Sequence, residues 1–379
     1  MLKKILTGAA AVAAGTIAAV YLFDYGYLFK GIAKTYFRGE KSATIDDLKL
    51  FPSNTVASGK PVPWLKDEKY NKKPLPQNLL KSLEESKTVS FLVVKDGKLL
   101  HEQYWMGYDE NTRSNSFSMA KTVAVMLTGK ALEEGKIESL DSKFTDFYDN
   151  YKDTQYGRDL TLRHLAAMES GLNWNEDYKN PLAPNARAYY GNSLEQAIHS
   201  QGFKQAPGKR FEYQSGSTQL LGFALRKAVN TSVANYLSEK IWKPLGMEQP
   251  AEWTTDNSGM EKTFCCIHAV PRDFAKLGLM MLNKGRANGI QVLNEDFVQE
   301  MITPTPASAG IYGLGVWINN DNPVKHYFLL GLQGQYVIIV PEHNMVIVRT
   351  GSYKDQPKND RGRPDQVRYV VNETVKLYS

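Results

Sequence analysis

The fold is decided by two stretches in the first third of the chain: residues 89–105, VSFLVVKDGKLLHEQYW, and residues 118–134, SMAKTVAVMLTGKALEE. In the first stretch, two apolar runs flank the turn-forming pair Asp96-Gly97, a pattern that predicts a β-hairpin. In the second, apolar residues recur with helical spacing until Gly135, which predicts a helix that stops there. A hairpin followed by a helix therefore opens the folded part of the chain.

Strand patterns return only near the C-terminus, after mostly helical and loop-like sequence up to about residue 300. An amphipathic helix, residues 365–378, closes the chain. The late strand segments are IYGLGVWI (311–318), VKHYFLL (324–330), GQYVIIV (334–340) and MVIVRTG (345–351). This order predicts an α+β fold, in which an antiparallel sheet is built from both chain ends, is flanked by helices and carries an inserted, mostly helical region.

The chain of 379 residues carries a net charge of +6, and the location of that charge is informative. Residues 1–24 contribute +1 and residues 25–73 contribute +5, so residues 74–379 are balanced. A basic stretch beside a neutral globular part argues against a nucleic-acid-binding domain and favours a juxtamembrane segment. A hydrophobic content of 42% also excludes a disordered protein.

Cysteine and histidine give no sign of a staple or a metal site. The two cysteines, Cys265 and Cys266, are adjacent, and a bridge between neighbours is strained, so we expect a fold that no disulfide staples. The six histidines are dispersed singly, and no pair has the spacing of metal ligands. The sequence therefore predicts neither a metal nor a cofactor.

The N-terminus contains an uncharged apolar run, ILTGAAAVAAGTIAAVYLF, at residues 5–23. In helical form this run would be about as long as the ~30 Å hydrocarbon core of a bilayer. We favour an uncleaved signal-anchor over a cleaved signal peptide, because the small-residue cleavage pattern occurs too early in the run. The predicted organisation is a transmembrane segment at 1–24, a basic juxtamembrane stalk at 25–85 and a globular domain at 86–379.

Ser118 and Lys121 stand three residues apart where the first helix is predicted to begin. A hydroxyl at that end lies in the positive field of the helix and beside free backbone N–H groups. Lys121 would lie on the same face one turn away, and a partly buried lysine can lose its proton near neutral pH and act as a base. A serine that caps the helix and a surface lysine are the simpler alternative.

Two further motifs carry residues suited to the same chemistry. Tyr213 and Ser215 follow a Pro-Gly turn, and a tyrosine held against a lysine ammonium can relay a proton to a leaving group. In GLQGQ, residues 331–335, a glycine-containing strand edge lets a substrate approach the backbone, where an outward N–H can complete an oxyanion hole. A structural tyrosine and an ordinary strand start are the alternatives.

Together the three motifs resemble those of the penicillin-recognising serine hydrolases, which include class C β-lactamases, D-Ala-D-Ala carboxypeptidases, esterases and 6-aminohexanoate-dimer hydrolases. The resemblance covers the predicted globular domain and implies a β-lactamase/transpeptidase-like fold. It makes Ser118 the acylated nucleophile, Lys121 its base and Tyr213 the proton relay, with Ser215 among the substrate-binding residues. The implied oxyanion hole consists of the backbone N–H groups of Ser118 and Leu332.

Four more residues are implied to contact substrate. Tyr178 ends a Glu-Asp-Tyr run similar to that of the amide-oligomer hydrolase branch, in which the tyrosine faces the substrate, and we add His268, Gly331 and Gln333. The β-lactamases carry Lys-Thr-Gly or His-Thr-Gly on the third motif, and that cation engages the substrate carboxylate. Here the equivalent positions, Leu329-Leu330-Gly331, carry no charge, which favours the esterase and amide-oligomer hydrolase branch.

The sequence therefore predicts a serine hydrolase that cleaves a small-molecule or peptide-like ester or amide through a Ser118 acyl-enzyme. One alternative is a β-lactamase or D-Ala-D-Ala carboxypeptidase acting on β-lactams or cell-wall peptides, and another is a non-catalytic binding or scaffold protein. Relatives of this kind are usually exported, so we expect a periplasmic domain, although the basic residues after 5–23 would favour the cytoplasm. The oligomeric state stays open.

Overall fold

The computed structural model describes residues 25–354, 356–359 and 361–379, together with Gly15 and Leu22. Apart from Gly15 and Leu22, the predicted membrane segment at 5–23 lies outside the described residues. Within the described part of the chain, no helix combines the length and the apolar character needed to cross a bilayer.

The strands form a large sheet, a smaller one and a short hairpin. Their bounds are β1 (Ser53–Val56), β2 (Thr88–Lys95), β3 (Lys98–Tyr104), β4 (Ser114–Asn115), β5 (Ala251–Thr254), β6 (Ile267–Ala269), β7 (Arg286–Ala287), β8 (Ile290–Gln291), β9 (Trp317–Asn319), β10 (His326–Gly331), β11 (Gln335–Val340) and β12 (Met345–Gly351). The large sheet has six antiparallel strands in the order β3-β2-β12-β11-β10-β9. An early hairpin thus pairs with the last strands of the chain, and the predicted fold class is confirmed.

The helices lie mainly between and beside these strands. The α-helices are α1 (Tyr27–Lys34), α2 (Gln77–Glu85), α3 (Met119–Glu133), α4 (Leu162–Ala166), α5 (Pro184–Tyr190), α6 (Leu194–His199), α7 (Ser215–Val229), α8 (Val233–Leu237), α9 (Pro271–Leu282), α10 (Glu295–Met301) and α11 (Asp365–Tyr378). Short 3-10 turns occupy Tyr36–Arg38, Asp47–Leu50, Phe144–Asp146, Asp149–Tyr151, Gly157–Asp159, Pro306–Ser308 and Pro341–His343, and a π-helical turn spans Ser238–Trp242.

The large sheet is buried on both faces, because side chains alternate between two apolar clusters along each strand. On β2, Leu92 and Val94 join the cluster that contains α3 and α9, whereas Phe91 and Val93 join the cluster that contains α2 and α11. The turn between β2 and β3 has a positive φ at both central residues, as a tight hairpin of this kind requires. Helix α3 therefore lies between the sheet and the helical region.

One predicted strand is much shorter than its pattern suggested. Of residues 311–318, only Trp317 and Ile318 belong to β9. The preceding loop approaches α3 closely: Gly315 has a φ of +69°, and a Cβ there would meet Val125 at 2.8 Å. Val125 on the helix therefore leaves room only for glycine at position 315. The apolar residues before Trp317 consequently form a packed loop and not a strand.

Residues 25–85, predicted as a stalk, pack against the globular part. Strand β1 pairs with β5, and Ser53 lies opposite Thr254. Helix α1 lies against α5, and Leu79 and Leu83 of α2 are fully buried. This stretch therefore supplies an edge strand of the smaller sheet and two helices that pack on the rest of the domain.

Candidate active site

Ser118 lies at the first turn of α3, where the chain leaves β4 and enters the helix. Phe117, just before it, has a φ of +43°, which is unusual for a bulky residue. Its N–H donates a hydrogen bond to the Asn115 side chain at 2.8 Å. Asn115 belongs to β4, so this bond fixes the turn between β4 and α3. The result is a partly exposed hydroxyl on a rigid corner at the positive end of the helix.

Lys121 is buried, with 1% of its surface exposed, and its ammonium nitrogen has three hydrogen-bond partners. It donates to Ser118 Oγ at 2.8 Å, to Ser215 Oγ at 3.1 Å and to the Phe264 carbonyl at 2.9 Å. Burial lowers the pKa of Lys121 to about 8, and the nearby Glu176 carboxylate opposes that change. A neutral amine would keep two of these bonds as a donor and turn its lone pair to the Ser118 hydroxyl.

Tyr213 lies over the same lysine, with Lys121 Nζ 4.9 Å from its ring centre. Burial raises the pKa of Tyr213 well above its ordinary value, a hydrogen bond with Ser118 acts in the opposite direction, and Glu176 adds to the increase. The phenol thus holds its proton at pH values where Lys121 can lose its own. This arrangement suits Lys121 as the base and Tyr213 as a proton donor or relay.

Glu176 is a site residue for which no role was predicted from the sequence. Its carboxylate accepts from the Ser215 N–H at 2.7 Å, from Ser215 Oγ at 2.6 Å and from Trp174 Nε1 at 2.6 Å. It also accepts from the Tyr178 hydroxyl. A negative charge is favourable at the start of α7, and through Ser215 it is linked to Lys121. The Glu-Asp-Tyr run at residues 176–178 was the sequence feature that could have indicated Glu176.

A short buried turn that carries both cysteines packs against the start of α3 at Ser118. The Phe264 carbonyl is the third partner of Lys121, and the Cys266 N–H donates to the Phe117 carbonyl at 3.2 Å. Cys265 and Cys266 are joined by a disulfide, so the expectation that strain would keep these neighbours unbridged was wrong. A bridge between adjacent residues links no distant parts of the chain, so it does not staple the fold. Cys266 has a φ of +78°, a backbone conformation that belongs to this tight turn.

The predicted oxyanion hole lies between the start of α3 and the turn after β10. The backbone N–H groups of Ser118 and Leu332 donate to no other described residue, and both residues line one cavity. Gly331 lets the strand come close, because a Cβ there would lie 2.2 Å from the Ser116 carbonyl oxygen. Two free donors beside a reactive hydroxyl are what a tetrahedral oxyanion requires.

The cavity beside Ser118 has a volume of about 450 Å³, within the usual range for small-molecule sites. Tyr178 and Ser215 contribute to its wall. Tyr178 is 48% exposed overall, but its hydroxyl is withdrawn from water next to Glu176, and both effects raise the pKa of Tyr178 well above its ordinary value. The two predicted substrate contacts therefore lie where a substrate can reach them.

Two predicted contacts lie elsewhere. His268 is on β6, only 1% exposed, and its burial, helped by Lys262 and Arg113, lowers its pKa to about 3. His268 is not among the described residues of the cavity wall, so the assignment to the pocket was wrong: it is a neutral core residue. No group of His, Cys, Asp and Glu in the described part of the chain could hold a metal ion.

Gln333 is also turned away from the cavity. It is 4% exposed, its amide donates to the Ala43 carbonyl at 2.7 Å and its amide oxygen accepts from Ser352 at 3.3 Å. Its φ of +61° belongs to the turn between β10 and β11. The placement of Gln333 in the pocket was therefore wrong, and its side chain ties the N-terminal segment to this turn.

Comparisons with known proteins place the chain in one family. The family model for Beta-lactamase matches residues 77–372. The 6-aminohexanoate-dimer hydrolase of Paenarthrobacter ureafaciens is 23% identical over 300 residues, covering 73% of this chain and 76% of that protein. A protein of Escherichia coli O157:H7, provisionally described as a D-alanyl-D-alanine carboxypeptidase, is 23% identical over 348 residues, covering 72% and 80%.

Among solved structures, a Bacillus anthracis protein provisionally described as a 6-aminohexanoate-dimer hydrolase superposes with a TM-score of 0.75. It is 24% identical and covers 89% of this chain and 95% of its own. At that identity the superposition speaks for the fold alone. Because the family model spans most of the chain, and because Lys121 contacts both Ser118 and Tyr213, the protein belongs to the beta-lactamase family and is a serine hydrolase.

Proposed function

We propose that the protein is an esterase or amidase that works through an acyl-enzyme on Ser118. The observation that carries this proposal is the chain of contacts from Glu176 through Ser215 to Lys121 and on to Ser118. It supplies a buried amine that can be neutral near pH 8 beside a hydroxyl with two free N–H groups next to it. Such a constellation serves acyl transfer.

In the acylation step, neutral Lys121 takes the proton of Ser118 while Oγ attacks the substrate carbonyl carbon. The negative charge on the carbonyl oxygen is held by the N–H groups of Ser118 and Leu332. The bond to the alcohol or amine then breaks, and that group leaves with the proton that Lys121 took, delivered through the Tyr213 hydroxyl. A water molecule then attacks the acyl-enzyme ester in the same way, which releases the acid and restores the Ser118 hydroxyl.

The first test compares wild-type protein with Ser118→Ala, using p-nitrophenyl butyrate as the ester and a chromogenic cephalosporin as the β-lactam. We expect ester turnover that the variant loses, with little cephalosporin cleavage, because Leu329 and Leu330, directly before Gly331, supply no cation for a substrate carboxylate. Rapid cephalosporin cleavage would instead assign the enzyme to the β-lactamase branch. Ester turnover that survives in the variant would contradict Ser118 as the nucleophile.

A cell-wall peptide is the second candidate substrate, since a relative is described as a carboxypeptidase. Release of D-alanine from a D-Ala-D-Ala peptide, measured in parallel with the ester, separates the two. We expect the ester to be the better substrate by at least tenfold in kcat/KM, because Leu329 and Leu330, the positions before Gly331, offer no cation to a free peptide carboxylate. A preference for the peptide would reverse the assignment.

We also propose that the enzyme is membrane-anchored through residues 5–23, with the catalytic domain on the periplasmic side. The apolar run supports the anchor, and so do the exposed aromatic side chains that follow it, Phe29 at 42% and Phe37 at 83%. Alkaline extraction of cell membranes, with a reporter fused after Ser379, tests both parts. Release by alkali would contradict the anchor, and a reporter active only in the cytoplasm would contradict the export.

A further inference from the structure

We propose that the cavity beside Ser118 binds an unbranched fatty acyl chain, so that the substrates are lipid-like esters or amides. This inference rests on the proposed function and specifies its substrate class. It starts from the wall of the cavity, which is mainly apolar and is formed in part by residues between Tyr27 and Ala43.

The wall is built from parts of the chain that are distant in sequence. Leu28 and Ile32 of α1 contribute from one side, Tyr190 of α5 from another, and Phe117 and Leu332 from beside the nucleophile. These side chains offer carbon surface and few hydrogen-bond groups, which suits a hydrocarbon and leaves a polar group unsatisfied. A cavity of about 450 Å³ is larger than an acetyl group needs.

The cavity lies on the acyl side of the bond to be cleaved. The leaving group departs towards the Tyr213 hydroxyl, because that group supplies its proton in the proposed reaction. Ser118 and Leu332 both line the cavity, whereas Tyr213 is not among the described residues of its wall. With the leaving group on the Tyr213 side, the acyl portion occupies the cavity.

The outer end of the cavity opens onto an apolar surface. Ile32 and Tyr36 line it and are also 40% and 64% exposed. Phe29 and Phe37, on the same segment, are 42% and 83% exposed. A chain leaving a micelle or a bilayer would therefore meet apolar side chains from the surface to Ser118, and exposed apolar patches of this kind mark such contacts.

The size of the expected effect follows from burial. Each methylene group that is fully buried can raise kcat/KM by up to about fourfold, since it contributes to binding in the transition state. Incomplete burial lowers that value, so we expect kcat/KM to rise by about tenfold or more from p-nitrophenyl acetate to the octanoate.

The experiment measures kcat/KM for p-nitrophenyl acetate, butyrate, octanoate and decanoate below their aggregation concentrations. Leu28→Trp places a bulky ring in the cavity, and we expect it to lower the octanoate-to-acetate ratio by about tenfold. Leu182→Trp is the matched control, because Leu182 is 62% exposed on the nearby loop and lies outside the cavity wall; it should keep the wild-type ratio. A flat wild-type profile, with acetate hydrolysis still dependent on Ser118, would overturn the inference and leave the proposed function intact.

A binding measurement covers the case in which no ester is turned over. Ser118→Ala protein is titrated with 11-(dansylamino)undecanoic acid, a fluorescent analogue of the acid product, and decanoic acid is used to displace it. We expect saturable binding that decanoic acid competes away, weakened about tenfold by adding Leu28→Trp and unchanged by adding Leu182→Trp. Absence of saturable binding contradicts the acyl-chain site whatever the enzyme's turnover, and so does binding that is insensitive to Leu28→Trp in a folded protein, shown by an unchanged thermal transition.

Discussion

Replacement of Glu176 by glutamine tests how Lys121 becomes a base. Lys121 Nζ lies 3.1 Å from Ser215 Oγ and a Glu176 carboxylate oxygen lies 2.6 Å from the same atom, so the two charges are within about 6 Å of each other. At an effective dielectric constant of about 20, opposite charges at that separation attract by about 3 kcal/mol. This attraction favours the ammonium form, so its removal lowers the pKa of Lys121.

The assay is the pH dependence of kcat/KM for p-nitrophenyl butyrate. In the wild type we expect a tenfold rise per pH unit below about pH 8 and a plateau above it, because only the neutral amine of Lys121 can take the Ser118 proton. In Glu176→Gln the midpoint of this rise should move down by about one to two pH units. The plateau also falls, since the Ser215 hydrogen bonds are weakened.

Glu212→Gln is the control for this shift. Glu212 is next to Tyr213 in the chain, but its carboxylate pairs with Lys204 at the protein surface, where water and salt screen it. The midpoint should stay where it is in that variant. A midpoint that does not move in Glu176→Gln, or that moves upward, would refute the coupling between Glu176 and Lys121, because loss of the carboxylate can only favour the neutral amine.

Three further predictions concern neighbouring parts of the site. Tyr213→Phe should reduce hydrolysis of an unactivated amide by about 10²- to 10⁴-fold and that of a p-nitrophenyl ester much less, because p-nitrophenolate leaves without a proton; equal losses would contradict the relay. Gly331→Ala should lower the free energy of unfolding by about 1–3 kcal/mol in denaturant titrations, since its Cβ meets a backbone oxygen at 2.2 Å, whereas Gly202→Ala has open space. Thiol titration of the unfolded, unreduced protein should find none and, after reduction, two from Cys265 and Cys266; two before reduction would contradict the bridge.

The large sheet and helix α3 could be predicted because the sequence patterns that specify them are local. A two-residue period in 345–351 and helical spacing in 118–134 each specify an element from a short window. The match of early and late strands then follows from the order of elements, and both ends of the chain do meet in one sheet. Local patterns failed for segment 311–318, which was predicted as a strand. Its apolar pattern could not reveal that Gly315 lies against the Val125 side chain of α3.

The site was harder to predict because its contacts join distant parts of the chain. The Glu176 carboxylate bonds to Ser215, 39 residues later, and no periodic pattern encodes that contact. Gln333 contacts Ala43 across 290 residues, so its orientation depends on an N-terminal segment whose course the sequence did not indicate. His268 was assigned to the pocket as an isolated histidine, but the burial that makes it neutral comes from its place in the smaller sheet.

The reactivity of Lys121 depends on two opposing effects that the fold supplies from separate elements. Burial on α3 lowers its pKa far enough for a neutral form to exist near pH 8, and Glu176 opposes the change, so that the pKa stays close to 8. A much lower pKa would give a weaker base, since a good general base titrates near the working pH. Because Ser215 accepts from Lys121 and donates to Glu176, it transmits this balance without carrying a charge itself. Ser215 thus links Lys121 to the carboxylate that opposes the effect of burial. A hydroxyl suits this position because it can accept one hydrogen bond and donate another at the same time.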